Sequence, residues 1–245
     1  MISKVVVAAA GRGTRMLHLG KEKPKHLIEV NGKPFLYYLL NNLMLAGFTE
    51  IIMIIGYKKE IMEDFLKNYN DNFNLTIINQ SEKLGDKKYG TICPVECVKD
   101  VIRHDESFMM VMGDNLYSVN DLKKFFIDDE FNYISGLKHP EPQNYGVLIR
   151  NGEDYLETII EKPTTYIGDL INTGLYKFTP SIFKKLPQIE KSSRGEYELT
   201  DAIDLLAKEK RVKIKEIEDY WLDFGKPEDV ETISNFLKHN LNKQT

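Results

Sequence analysis

One stretch constrains this chain more than any other: an apolar run that breaks into glycines and then into cations. Lys4 to Ala10 is β-branched and apolar without polar interruption, the pattern of a strand buried on both faces. Gly11 and Gly13 follow, and a residue without a Cβ lets the backbone turn sharply and approach a ligand. Arg12, Arg15, Lys21, Lys23 and Lys25 come next, opposed only by Glu22. Backbone N–H groups exposed after a strand, with cations beside them, suit a polyphosphate. A dinucleotide-binding turn would place a third glycine where Met16 stands, and a P-loop would need Gly-Lys-Ser/Thr where the chain has Thr14-Arg15-Met16. Glycine and charge alone leave a solvated basic loop after a core strand as an equal alternative.

The rest of the chain narrows the class of ligand. With 245 residues, 42% hydrophobic and 29% charged, it can bury a large single core or two intimate subdomains, and disorder is excluded as its main state. A net charge of -4 argues against a nucleic-acid partner, so the basic loop is a local exception suited to a small anion. No apolar run approaches the length of a membrane span and the start carries no cleavable signal pattern, so no membrane partner and a cytoplasmic location are expected. Cys93 and Cys97 stand four apart in an expected helix and could form half a metal site. No further ligands of the right type lie nearby and a disulfide between them is awkward, so buried thiols are expected.

Strands at Lys4–Ala10, Ile51–Ile55, Leu75–Ile78 and Phe108–Met112 alternate with helices from Phe35 to Gly47, about Lys58–Leu66 and Thr91–Ile102. This alternation predicts an α/β chain with a mainly parallel sheet and helices on both faces. In such sheets ligands bind beyond the carboxyl ends of the strands, where the Gly11 loop and Gly113-Asp114-Asn115 both fall. The second half changes character. Tyr133–Leu137, Gly146–Arg150, Leu156–Ile160 and Ile171–Phe178 read as strands between turn residues. Helices at Pro180–Lys185 and Glu198–Lys208, a strand near Val212–Ile217 and a helix from Glu228 to His239 follow. No polar linker separates the halves, so residues 1–245 are expected as one unit with subdomains of about 1–115 and 116–245.

The composite string settles what the loop alone does not. Gly11-Arg12-Gly13-Thr14-Arg15-Met16, then Pro24-Lys25-His26-Leu27, then Asn31-Gly32-Lys33-Pro34 resembles the sugar-1-phosphate nucleotidyltransferase family, whose signature is roughly G-x-G-T-R-[LM], P-K-x-L and K-P. His18 and Gly20 depart from it, standing where the family often has Pro and Thr. The resemblance covers about residues 3 to 235. It implies a Rossmann-like mixed sheet flanked by helices, the nucleotide-diphospho-sugar transferase fold. It also implies a short form without a carboxyl-terminal β-helix or acyltransferase domain, since the tail from Asn240 to Thr245 leaves no room for one.

The implied activity is Mg²⁺-dependent transfer of a nucleotidyl group from a nucleoside triphosphate to a sugar 1-phosphate, releasing pyrophosphate. Ala10, Gly11, Gly13 and Thr14 then belong to the nucleotide site, with Arg15 and Lys25 on the triphosphate and the leaving pyrophosphate. Gln80 and Gly90 occupy the segment where the family reads the base. A lone Asp after a strand is more often a turn or cap residue, but Asp114 matches the family's G-D-N. Asp223 lies in Trp221-Leu222-Asp223-Phe224-Gly225, similar to W-x-D-x-G, and together the two acids would hold Mg²⁺. Gly146, Glu161, Lys162 and Asn172 match sugar-site elements, and Arg194 in Arg194-Gly195-Glu196-Tyr197-Glu198-Leu199-Thr200-Asp201 suits bidentate phosphate recognition. Thr200 and Asp201 are expected to be structural.

Ala9-Ala10-Gly11 looks closer to uridylyltransferases than to thymidylyltransferases, which usually carry Ala-Gly-Gly there. UTP with glucose 1-phosphate is therefore the expected pair, dTTP next, GTP with mannose 1-phosphate third. A non-catalytic nucleotide-sugar sensor is the rival from another class. It would be expected to lose Arg15, Lys25, Asp114 or Asp223, and all four are present. The sequence leaves a homo-oligomer open.

Overall fold

A computed structural model describes residues 2–69, 74–152 and 154–241. The end of the tail, residues 242–245, lies outside the described residues. From the amino end come β1 (Lys4–Ala9), a hairpin of β2 (Glu29–Val30) and β3 (Lys33–Pro34), α1 (Phe35–Ala46), β4 (Glu50–Ile55), α2 (Lys59–Asn68) and β5 (Asn74–Asn79). Next are α3 (Gln80–Leu84), α4 (Cys93–Cys97), β6 (Phe108–Met112), β7 (Asn115–Tyr117) and α5 (Val119–Lys123). β8 (Asn132–Lys138), β9 (Gly146–Asn151), β10 (Tyr155–Glu161), β11 (Leu170–Phe178), α6 (Leu199–Lys208), β12 (Val212–Glu216), β13 (Trp221–Asp223) and α7 (Asp229–Leu241) complete the chain.

β1 lies inside a mixed sheet of order β5-β4-β1-β6-β11-β8-β12-β10-β9. The first four of these strands run parallel, β11 pairs antiparallel with β6, and the second half of the chain continues the same sheet. Strand residues alternate between two apolar layers, as a pleat buried on both faces requires. Val5, Val7, Met53 and Val111 pack toward α1, which presents Phe35, Leu36, Leu39, Leu40 and Leu43. Val6, Ile52, Ile54 and Met110 pack on the other side with α4 and with Ala202, Ile203 and Leu206 of α6. Cys93 and Cys97 belong to that second layer as free, buried thiols, pushed up by burial to about 11 and about 12.

Two expectations change in kind. The helix expected over Thr91–Ile102 is reduced to Cys93–Cys97, with turns on either side. Ile92, Val95, Val98 and Ile102 are all buried as their spacing implies, but Thr, Ile, Val and Cys are weak helix formers and Pro94 is tolerated only in a first turn. Pro180–Lys184 forms a short 3-10 turn capped by Thr179 instead of an α-helix.

β7 and β13 were too short to read as strands, yet they form an antiparallel ribbon that pairs Asp223 with Asn115. Its return is anchored by Asp121, which is fully buried. The Asp121 carboxylate accepts hydrogen bonds from Ser118 Oγ (2.8 Å), Glu218 N (2.9 Å), Asp219 N (3.0 Å) and Tyr220 N (3.4 Å), and it pairs with Lys124. No helix among the described residues is long and apolar enough to cross a membrane.

Candidate active site

A cleft of about 500 Å³ opens beyond the carboxyl ends of β1 and β6. From one side it is lined by Ala10, Gly11, Thr14, Arg15, Lys25 and Asp114, with Gln80 and Gly90 beside them. Glu161, Lys162, Asn172 and Arg194 line the other side. The sequence-expected residues thus converge from segments far apart in the chain, with three placed behind the wall.

Gly13 is the first of these three. It takes φ +61, where a Cβ would sit 3.0 Å from Lys25 Cβ, so its bareness lets the loop lie on the lysine stem. Its carbonyl accepts the Met16 N–H at 3.0 Å and Met16 is buried, which pins the loop to the core. Lys25 pairs with Asp114. Burial pushes the Asp114 carboxyl up, but Lys25, His26 and the hydrogen bond from Lys25 outweigh it and hold the group below the usual carboxylate range.

Asp223 is the second. The ribbon register and the Phe224 N–H bonded to Asp114 O at 2.8 Å bring it beside Asp114. Burial, then the charges of Asp114 and Asp229, push its carboxyl up to about 6 against the pull of Lys25 and Arg15. Two half-buried carboxylates that repel each other, both hard oxygen donors, fit Mg²⁺, which prefers one or two protein carboxylates plus water and substrate phosphate. No group of three or more His, Cys, Asp or Glu that could hold a metal occurs among the described residues.

Gly146 is the third. It stands opposite Glu161 in the β9–β10 hairpin, where a Cβ would meet Glu161 Oε1 at 3.0 Å. The glycine makes room for the carboxylate. Burial, with Glu198 and Asp201, pushes Glu161 above its ordinary range against the pull of Arg194 and Lys162. Asn172 Nδ2 donates to the Tyr176 hydroxyl at 2.8 Å, while Asn172 Oδ1 accepts the Gly174 N–H at 3.0 Å. Arg194 pairs with buried Glu198 at 3.1 Å, and Glu198 also accepts from Ser192 Oγ and Thr91 Oγ1.

Gln80 opens α3, whose first turn is capped by Asn79 Oδ1 accepting from Ser81 N at 3.0 Å. Its amide makes no hydrogen bond among the described residues. It also lines an adjoining cavity of about 380 Å³ with Arg12, Tyr57 and Tyr89. Gly90 lines the cleft for a reason the sequence did not show. At φ +142 its Cβ would fall 2.1 Å from Tyr197 O, so two backbones touch there. Tyr197 N donates to Tyr89 O at 3.0 Å, Ile92 N to Tyr197 O at 3.2 Å and Leu199 N to Thr91 Oγ1 at 2.8 Å, strapping the two loops together.

Sequence reasoning missed several residues. Thr200, expected to be structural, lines the cleft, as do His26, Tyr89, Thr91, Tyr176, Glu196 and Glu198. Glu196, Glu198 and Thr200 sit in the motif that supplied Arg194. Trp221 stacks edge-on against Tyr145 with ring centres 5.6 Å apart, and its buried Nε1 has no partner among the described residues.

A model of the family described as nucleotidyl transferase matches residues 4–240. The chain is 34% identical to the UTP–glucose-1-phosphate uridylyltransferase AglF of Haloferax volcanii, over 99% of both chains. It is 29% identical to a mannose-1-phosphate guanyltransferase of Neurospora crassa, over 98% of this chain and 66% of that protein. A UDP-glucose pyrophosphorylase crystallised with UDP-glucose superposes with a TM-score of 0.85 at 22% identity, covering 98% of this chain and all of that one. That likeness bears out the expected fold, a Rossmann-like mixed sheet flanked by helices.

Proposed function

This chain belongs to the nucleotidyl transferase family, and from that premise we propose that it joins UTP to glucose 1-phosphate with the help of Mg²⁺, giving UDP-glucose and pyrophosphate. One observation carries the reading: Arg15, Lys25 and Asp114 gather at the strand ends and face Lys162 and Arg194 across one cleft, with Asp223 behind Asp114. Cations and acids on one side suit a triphosphate and its metal, and cations opposite suit a second phosphate. An oxygen of the sugar phosphate attacks the α-phosphorus, and the bond to the β-phosphate breaks in line. Arg15 and Lys25 neutralise the charge that grows on the leaving pyrophosphate. Asp114 and Asp223 would hold Mg²⁺, which when bound neutralises charge on the phosphate oxygens. Lys162 and Arg194 place the attacking phosphate, and Glu161 and Asn172 accept and donate hydrogen bonds to the sugar hydroxyls.

For the base, the unpartnered Gln80 amide supports an imide edge, which presents an N–H between two carbonyls. Uracil and thymine differ by one methyl, worth roughly 1–3 kcal/mol of selectivity, so UTP and dTTP are expected to be used within about a hundredfold of each other. Guanine would leave polar groups unpaired and should be poor, by a factor on the order of 10⁴. Pyrophosphate release across a grid of triphosphates and sugar 1-phosphates tests this. Highest kcat/KM with GTP and mannose 1-phosphate would sink both the Ala10 argument and the Gln80 assignment, and the Neurospora crassa relative makes that pair the rival.

The division of the cleft has its own test. Lys162→Ala is expected to weaken binding of glucose 1-phosphate by about tenfold or more, the loss of one charged hydrogen bond, while UTP binding stays within about threefold. Calorimetry with each ligand alone reads both. Equal losses would mean that Lys162 does not belong to one substrate.

A further inference from the structure

Two registers are open to β10, and its apolar residues alone do not choose between them. In the fold Leu156 lies opposite Arg150 and Thr158 opposite Ile149, so Glu157 is an extra residue, a bulge. From there the pairing runs on to Glu161 opposite Gly146. The bulge puts Leu156 and Ile159, three apart, into the one buried layer that faces α6, and leaves Ile160 exposed. Regular pairing from Leu156 onward would instead set Glu157 opposite Ile149 and Ile160 opposite Gly146. It would bury Leu156 with Ile160 in place of Leu156 with Ile159, one leucine and one isoleucine either way. A one-residue slip turns every later side chain to the other face and shifts it along the strand by about 3.3 Å. Glu161 and Lys162, which line the cleft, are the residues that such a slip would move.

The observed register is the one that α6 holds. Asp204 Oδ1 accepts the Ile159 N–H at 2.9 Å, and Asp204 Oδ2 accepts the Thr158 hydroxyl at 3.1 Å. The carboxylate thus grips the two residues that follow the bulge, and the slipped register would carry both donors away from it. Asp204 also stands one turn beyond Thr200, on the helix that the Arg194 segment enters, and it lies outside the cleft lining. The same two bonds therefore tie the strand that carries Lys162 to the chain that carries Arg194. We propose that Asp204 is a positioning residue of the cleft: it selects the register of β10 that aims Glu161 and Lys162 at the sugar phosphate, and it fixes Lys162 against Arg194. The inference rests on the transfer reading of this site, which gives those residues their ligand. The aim is strict, because only in this register does the bare Gly146 face the Glu161 carboxylate and the Lys162 N–H reach Tyr145 O, at 2.9 Å.

Asp204→Ala is expected to bind glucose 1-phosphate about tenfold or more weakly, while UTP binding stays within about threefold. Asp204→Asn still accepts from Ile159 N through Oδ1, and its amide donates to the Thr158 hydroxyl, so it is expected to restore binding to within about threefold. Deletion of Glu157 gives the sharper test. It removes the extra residue, so the pairs from Thr158 with Ile149 to Glu161 with Gly146 become those of a regular strand and need no anchor to select them. Asp204→Ala in the shortened chain should then cost less than about threefold relative to the deletion alone, a coupling that a general stabilising role would not produce. Calorimetry with each ligand alone reads every arm. Undiminished glucose 1-phosphate binding by a folded Asp204→Ala, equal losses for both ligands, or a tenfold loss in the shortened chain as well overturns this inference alone. Failure of the unsubstituted protein to bind either glucose 1-phosphate or mannose 1-phosphate overturns the transfer reading and this inference with it. If only mannose 1-phosphate binds, it serves as the probe. Should Asp204→Ala not fold, the comparison is made in the shortened chain. If the variant is unfolded there too, Asp204 holds the fold and not the register, and the proposal fails.

Discussion

Asp114→Asn and Asp223→Asn are each expected to lower turnover by about a hundredfold or more, the scale of losing one preorganised electrostatic partner, while leaving a folded protein. The two acids reach the same place by different routes. Asp114 ends the loop after β6 and is pinned by Lys25, whereas Asp223 arrives on the ribbon opposite Asn115. Asn keeps the shape of either side chain but removes the charge a cation needs. The variants should differ in one respect. Asp223 holds its proton up to about pH 6 in the ligand-free protein, so Mg²⁺ must displace that proton at lower pH. Apparent Mg²⁺ affinity should therefore fall as pH drops through that value, and the Asp223→Asn variant should lose the dependence. Steady-state kinetics at saturating Mg²⁺, with Mg²⁺ titrations above and below that pH, read both effects. Near-normal turnover of either variant would remove its acid from the metal site.

Asp121→Ala is expected to cost about 1–3 kcal/mol of stability, since it strands three backbone N–H groups that the buried carboxylate satisfies, while Lys124 keeps its pair with Glu218. Those N–H groups belong to Glu218, Asp219 and Tyr220, immediately before β13. Loss of the anchor should thus also misplace Asp223 and reduce turnover in whatever protein remains folded. Burial pushes the Asp121 carboxyl up, but the hydrogen bonds from Glu218, Ser118 and Asp219 and that from Lys124 prevail and hold it below the usual carboxylate range. Because the folded value lies beneath the unfolded one, the stabilisation is full above the unfolded value and is lost as pH falls through the folded one. Urea melts of both proteins along a descending pH series check this. The gap between them should be widest near neutrality and narrow in acid. A gap that is constant with pH would assign the loss to packing.

The parts of the site that were legible in the sequence are those written in contiguous strings at strand ends. Gly11 to Arg15 and Lys25 follow β1, Asp114 follows β6, and Glu161 with Lys162 closes β10, so local pattern and strand-end chemistry coincide. Asp223 was legible as a string, and only the family resemblance, no local pattern, set it beside Asp114. Its position depends on a three-residue strand and on Asp121, and neither leaves a periodic trace. The truncated α4 shows the opposite case, in which apolar spacing marked the buried residues correctly while Pro94 and β-branched neighbours limited the helix. His26 was unreadable because only its place on the cleft wall sets it apart.

The strap at Gly90 and Tyr197 has a bearing on how such an enzyme can change. Its innermost contact is made by main-chain atoms, so the side chain of Tyr89 is not what holds the loops together, while the Tyr197 ring adds an outer contact with Lys88 Nζ. Substitutions there can alter what the cleft admits without loosening the frame, whereas any residue with a Cβ at position 90 breaks the frame first. Selection on such a site can therefore rewrite its preferences at the flanks and keep one fixed hinge pin of two hydrogens on a carbon.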